Sequence, residues 1–515
     1  MSTQQLQSPE LSPQQSGGTF TFTGSEWTFP LIEAIDRDIA AIADEFGLDT
    51  YPNQIEIIGS EQMLDAYASV GMPLMYNHWS FGKHFLSNQT NYQHGQMGLA
   101  YEIVINSDPC ISYLMEENSM TMQTLVIAHA CYGHNSFFKG NYLFRAWTDA
   151  ESIIDYLLFA KNYIRQCEEK HGVDAVEEVL DACHSLQNQG VNRYQRPKPL
   201  SAAEEKHRQK DRQEYIQRTL NNLWSTIPRN PQKQVADEER FPKDPEENVL
   251  YFIEKNAPLL QTWQRELIRI VRKLGQYFYP QRQTKVMNEG WASFWHYTLM
   301  NELHRRGKIT DGSMFEFLQS HTNVVFQPEF DDPRFSGINP YTLGFNIFSD
   351  LKRICLEPTE EDREWFPDFA GNKDWTCVLD YAMRNFKDES FILQYMSPKV
   401  MRDMRLFTIR DDDRKAFLEV SEIHNEDGYR DLRETLAAQY NLGNLEPNIQ
   451  VYSVNTRGDR SMTLRHYRHN RMPLDKQTTQ KIVQHIASLW GFSVKLESVE
   501  DERVVETFTS ENKNG

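Results

Sequence analysis

A run of aromatic and aliphatic side chains at helical spacing leaves residues Met287 to Glu302 little choice of structure. Trp291, Phe294, Trp295, Leu299 and Leu303 recur every three or four positions, which predicts a helix with a large buried face. Within it, Met287-Asn288-Glu289-Gly290-Trp291-Ala292-Ser293-Phe294-Trp295-His296 places Glu289 and His296 seven residues apart, close to two full turns. The two share one stripe, with only the small Ala292 and Ser293 between them. A carboxylate and an imidazole set in aromatic bulk are the groups that a buried metal or proton-transfer site requires. The plainer alternative is a hydrogen-bonded polar pair in a core helix.

A second histidine-bearing stretch lies upstream. Met120 to Tyr132 reads as an apolar helix, and Ile127-Ala128-His129-Ala130-Cys131-Tyr132-Gly133-His134-Asn135 carries two histidines five residues apart. Zinc-binding helices usually hold two histidines four apart, with Glu directly after the first. Here that second position is Ala130. On a regular helix five residues turn about 140° away from the starting face. A one-residue π-bulge, which Gly133 can accommodate, brings the pair back into line. Two satisfied core histidines are the alternative. Residues 99–106 have strand composition and set Glu102 among apolar neighbours, where an ionised carboxylate needs a cation or a metal. An edge strand with Glu102 turned to water is the competing expectation.

Composition narrows the partners. The formal net charge is −19, so nothing drives the chain toward phosphate backbones or anionic membranes. Six scattered cysteines without a CxxC pair suit reduced thiols in the cytoplasm better than a disulfide framework or zinc ribbon. No uncharged apolar run of about 20 residues occurs, as a membrane span would require. The N-terminus lacks the apolar core and basic lead of a signal peptide. A cytoplasmic protein without nucleic-acid partners is expected.

The expected organisation is mainly α, with a smaller α+β domain at the C-terminus. Residues 1–24 read as a tail, 25–403 as a mainly helical body, 404–500 as the α+β domain and 501–515 as a second tail. Thr148 with Glu151 has a capping-box pattern that would open a helix through Ile153, Leu157 and Ile164. Residues 195–247 read as a charged, solvated insertion containing a helix from 204 to 218, and Pro280 as the end of a long helix from Leu259. From Met404 the apolar pattern changes to period two. It predicts a strand at Leu406 to Ile409, a helix at Tyr429 to Tyr440, and a hairpin joining Ile449–Val454 to Met462–Tyr467.

The stretches Gly47-Leu48-Asp49-Thr50-Tyr51-Pro52-Asn53-Gln54, His78-Trp79-Ser80-Phe81-Gly82-Lys83, His129 to Asn141, and Asn288 to His296 resemble the SpoVR family, named for stage V sporulation protein R. The resemblance spans about residues 26–500 and is nearest the proteobacterial branch, found in bacteria that form no spores. It implies a role in spore cortex formation in spore formers and a stress-response or stationary-phase association elsewhere. It also implies association with a PrkA-type serine kinase and a von Willebrand factor A-like protein. More distantly, paired histidines followed by a downstream Glu-Gly-Trp-Ala helix are similar to gluzincin metallopeptidases, in which two His and a later Glu bind zinc. This implies a zincin-like body with His129, His134 and Glu289 as zinc ligands. Ala130 stands where the catalytic Glu of those enzymes sits, so a base must come from elsewhere, Glu102 or His296. Two functions follow as expectations. One is a metal-dependent hydrolase of peptide or amide bonds, such as those of cell-wall material. The other is a non-catalytic cytosolic regulatory protein acting with the kinase. A carboxylate-bridged di-iron bundle would need Glu-x-x-His repeats, which neither helix has.

Overall fold

The computed structural model describes residues 20–68, 75–79, 102–193, 240–410, 419–422 and 425–510. Most of the 1–24 tail, the His78 loop beyond Trp79, residues 99–101 and the 195–247 insertion up to residue 239 lie outside the described residues. Among the described residues the chain is mainly helical, with a small sheet domain at its C-terminal end. No described helix is long and apolar enough to cross a membrane. The chain divides into two compact units. The first joins Met1–Asn162 to Pro280–Asn441, and the second joins Tyr163–Tyr279 to Leu442–Gly515.

In the first unit the Lys285–Arg305 helix is the central element, and Trp291, Phe294, Trp295, Leu299, Met300 and Leu303 are all buried. A buried side chain the size of Phe294 contributes about 1.5–3 kcal/mol. Two neighbouring helical runs come unusually close to it. A Cβ on Gly290 would stand 2.3 Å from the Cα of Gly344 in the Pro340–Leu356 helix. A Cβ on Gly133 would stand 2.6 Å from the Cα of Ala292. Only hydrogen in place of a side chain permits either approach. The helix start is capped from a distance: Asp388 accepts hydrogen bonds from the amides of Val286 (2.9 Å) and Met287 (2.8 Å). Those amides have no partner within the helix, which is why a buried carboxylate is tolerated there.

The Phe29–Glu45 helix buries Ile32, Ile35, Ile39 and Ile42, the stripe its sequence spacing predicts. It ends at Phe46, and Gly47 follows with φ 75°, the left-handed residue that commonly closes a helix. A three-stranded sheet completes the unit: β1 (Asn53–Ile58), β2 (Glu102–Ile105) and β3 (Cys110–Met115), in the order β1-β3-β2. β1 runs parallel to β3, and β2 antiparallel with Glu102 opposite Leu114. β4 (Thr408–Arg410) and β5 (Glu419–Glu422) form a separate pair, and the Glu426–Gln439 helix follows them.

The second unit holds β6 (Asn448–Val454), β7 (Met462–Tyr467), β8 (Val494–Glu500) and β9 (Arg503–Thr509) in sequential order. β6 and β7 form the expected antiparallel hairpin. The Lys476–Trp490 helix connects β7 to a parallel β8, as a parallel pair requires.

Four expectations are corrected. Residues 501–515 are not simply a tail, because Arg503–Thr509 is strand β9, paired antiparallel with β8. Asp501 and Glu502, with φ 46° and 63°, make the tight turn that joins the two strands. The boundary expected at 404 falls instead at 442, and residues 163–279 join the C-terminal sheet in one unit. Thr148 opens no helix: its hydroxyl donates to the Phe144 carbonyl of the preceding helix (2.7 Å), and the next helix starts at Ile153. Pro280 lies inside the Thr262–Gln283 helix, which continues past it.

Candidate metal centre

The run from Met120 to Gly140 is helical throughout but changes pitch in the middle. Met120–Ile127 is an α-helix, Ala128–His134 a π-helix and Asn135–Gly140 an α-helix again. In π geometry residues five apart stack along the axis, so His129 and His134 face the same side, their ring centroids 4.6 Å apart. The widened turn lies where Gly133 meets Ala292, and that contact holds the π segment against the helix bearing Glu289.

The structure brings four residues from three separate segments together. His134 Nε2 lies 3.5 Å from Glu289 Oε2, and His129 Nε2 lies 3.9 Å from the same oxygen. From the end of strand β2, Glu102 Oε1 approaches His129 Nε2 to 3.7 Å. Glu102, His129 and His134 each offer a ligand atom within 4.8 Å of the others. The imidazoles are buried, whereas the Glu102 and Glu289 side chains keep 16% and 18% of their exposure, so the carboxylates form the accessible side.

The far side of each ring is occupied. His134 Nδ1 bonds Asn288 Oδ1 at 2.9 Å, and Phe138 stacks on the His134 ring. His129 Nδ1 lies 2.9 Å from His296 Nδ1, and His296 Nε2 lies 2.7 Å from Nδ1 of His321. Both His296 nitrogens are therefore engaged behind His129, which leaves none free to serve as a base. His296 stands as a partner behind His129, an arrangement like those that orient metal-binding histidines. His321 carries no motif in the sequence. Its one signal is a place four residues after the buried Phe317, on the inner face of the Asp311–Val324 helix.

Electrostatics match a site built for a cation. Burial pushes the Glu102 carboxyl up to about 8, with a smaller push from the Glu289 charge. Burial holds His129 and His296 well below the ordinary imidazole range, and takes His321 to about 4. Neutral imidazoles are the form that binds metal. Glu289 Oε2 is buried with no hydrogen-bond partner, an arrangement that costs free energy unless a cation fills the gap. Two imidazole nitrogens and two carboxylates are donors suited to zinc and to other divalent first-row ions. The residues fit a metal.

Residues 26–445 match the family described as SpoVR like protein, and residues 447–501 match the SpoVR-like C-terminal domain. The uncharacterized protein YcgB of Escherichia coli (strain K12) is 62% identical over 484 residues, covering 94% of each chain. No solved structure matches. With both family domains matched across its length and a close proteobacterial relative, the chain belongs to the SpoVR family.

Proposed function

We propose that this chain binds a divalent metal, zinc in the first instance, through His129, His134 and Glu289, and hydrolyses peptide or amide bonds. The observation that carries the reading is the orphaned Glu289 oxygen facing two Nε2 atoms across 3.5 and 3.9 Å. Two histidines from one helical run and a glutamate from a later helix are the ligand set of a gluzincin, and on that set the helical body is read as zincin-like. When bound, such an ion supplies Lewis-acid activation of a water or a carbonyl. Asn288 and His296 hold the imidazoles in place behind it. Glu102 acts as general base in the place that Ala130 cannot fill. It takes a proton as the water oxygen bonds to the carbonyl carbon, then gives it to the amine nitrogen as the C–N bond breaks. Burial raises this carboxyl in the metal-free site, and a neighbouring cation would favour its ionised form, the one that accepts a proton.

One observation favours a second reading. Glu102 lies close enough to both histidines to be a fourth ligand, which would close the coordination sphere as structural metal sites do. The chain would then be a non-catalytic cytoplasmic regulator, acting with a PrkA-type kinase and a von Willebrand factor A-like protein. Metal stoichiometry and turnover on peptide and wall-fragment amides, measured on the same Glu102→Gln and Glu289→Gln preparations, separate the two. The hydrolase reading expects Glu102→Gln to keep its metal and lose turnover, and Glu289→Gln to lose both. Loss of metal from Glu102→Gln supports the closed site, and full turnover in that variant refutes the role given to Glu102.

A further inference from the structure

Behind the candidate ligands runs a feature that hydrolysis by itself does not require: three imidazoles in series. His129 belongs to the π segment, His296 to the Lys285–Arg305 helix and His321 to the Asp311–Val324 helix. The links are His129 Nδ1 to His296 Nδ1 at 2.9 Å and His296 Nε2 to His321 Nδ1 at 2.7 Å. All three side chains are buried, and Tyr297, Phe317 and Phe345 pack around His321.

A neutral imidazole carries one N–H and one lone pair, so a chain of such rings has a direction. If His129 presents its Nε2 lone pair to the carboxylate side, its proton is on Nδ1 and is donated to His296 Nδ1. His296 must then be protonated on Nε2 and donate to His321 Nδ1, and the His321 proton is on Nε2. In the opposite direction His321 donates from Nδ1, His296 donates from Nδ1, and His129 is left with its proton on Nε2. That second state cannot bind a metal through Nε2. The proton position on His321 is thus linked, two rings away, to the nitrogen on which His129 carries its proton.

We propose that His296 and His321 are positioning residues that set the tautomer of His129, holding its Nε2 as a lone-pair donor toward a divalent cation. The inference rests on the metal-binding reading above. Partners of ligating histidines are commonly carboxylates, backbone carbonyls or water. Here His296 is such a partner, beside the Ala292 backbone carbonyl that also accepts from the His129 ring, and Tyr297, Phe317 and Phe345 pack around the terminal ring.

The test uses full-length protein and cobalt(II), whose absorption spectrum reports its ligands. In His321→Asn the side-chain oxygen sits where Nδ1 was and still accepts from His296, whereas His321→Phe removes the acceptor and keeps the ring. Cobalt affinity is expected to fall about 10- to 100-fold in His321→Phe, with an altered spectrum, and to return to within a few-fold of wild type in His321→Asn. Wild-type affinity and spectrum in His321→Phe would overturn the proposal, as would an Asn variant as weak as Phe. Nitrogen NMR of histidine-labelled wild type needs no variant. It should find His296 and His321 both protonated on Nε2 with metal bound, and protonation on Nδ1 of either ring contradicts the inference. Wild-type protein that binds neither cobalt nor zinc refutes the metal-binding reading itself.

Discussion

Glu102 and Glu289 reach the same imidazoles from different directions, one from a strand end and one from a helix, and their environments distinguish them. Burial holds the Glu102 carboxyl near 8, against an ordinary value of 4.5. The folded chain therefore keeps a proton that the unfolded chain releases over that interval, so stability falls as pH rises from about 4.5 to about 8. Metal-free protein should lose unfolding free energy, relative to Glu102→Gln, at up to about 1.4 kcal/mol per pH unit in that window. Denaturant titrations at several pH values check this, and parallel curves for the two proteins would contradict it. Asp388 has a different task. It is almost fully buried, and burial pushes it up to about 7 even though backbone amides oppose the shift. Asp388→Ala leaves the Val286 and Met287 amides unpaired at the start of the central helix, at a cost of about 2 kcal/mol. Urea unfolding measures the loss, and an unchanged midpoint would show that the cap contributes nothing.

At the level of elements, the π segment is what turns a histidine pair of the wrong spacing into one face of a site. That much was legible in the sequence, because five-residue spacing excludes a shared α-helical face and Gly133 marks where the helix can widen. The Glu289 helix was legible for the same kind of reason, since bulky residues at helical spacing admit little else. Glu102 was visible as a carboxylate without an apparent partner. His321 was not, because a histidine on an inward face looks the same whether it fills space or completes a chain, and its partner lies on another helix. Strand β9 lies in residues that read as a tail, and the capping pattern at Thr148 opens no helix because its hydroxyl bonds backward instead of forward. Gly133→Ala tests the element directly. Its methyl would meet the Ala292 backbone at 2.6 Å, so helix and π segment must separate. The expected cost is about 1–3 kcal/mol in stability, together with weaker metal binding. Calorimetry of the variant with and without zinc measures both, and a variant with wild-type stability and affinity would show that the contact does not hold the histidines in place.

Across the whole molecule, the chemistry-bearing residues gathered here belong to one compact unit assembled from Met1–Asn162 and Pro280–Asn441. Its candidate ligands come from sequence positions as distant as 102 and 289, so the site exists only when that unit is folded. Binding to the folded form alone stabilises it by mass action, by about 2.7 kcal/mol when free ion exceeds the dissociation constant a hundredfold. Removing metal with a chelator should therefore lower the melting temperature of wild type and leave Glu289→Gln unmoved. Elemental analysis of protein purified without added metal tests most directly whether this family member is a metalloprotein. Wild type should carry one divalent ion per chain, and Glu289→Gln and His134→Ala should carry almost none. Wild type free of metal, or a Glu289→Gln preparation that keeps a full equivalent, would contradict the account.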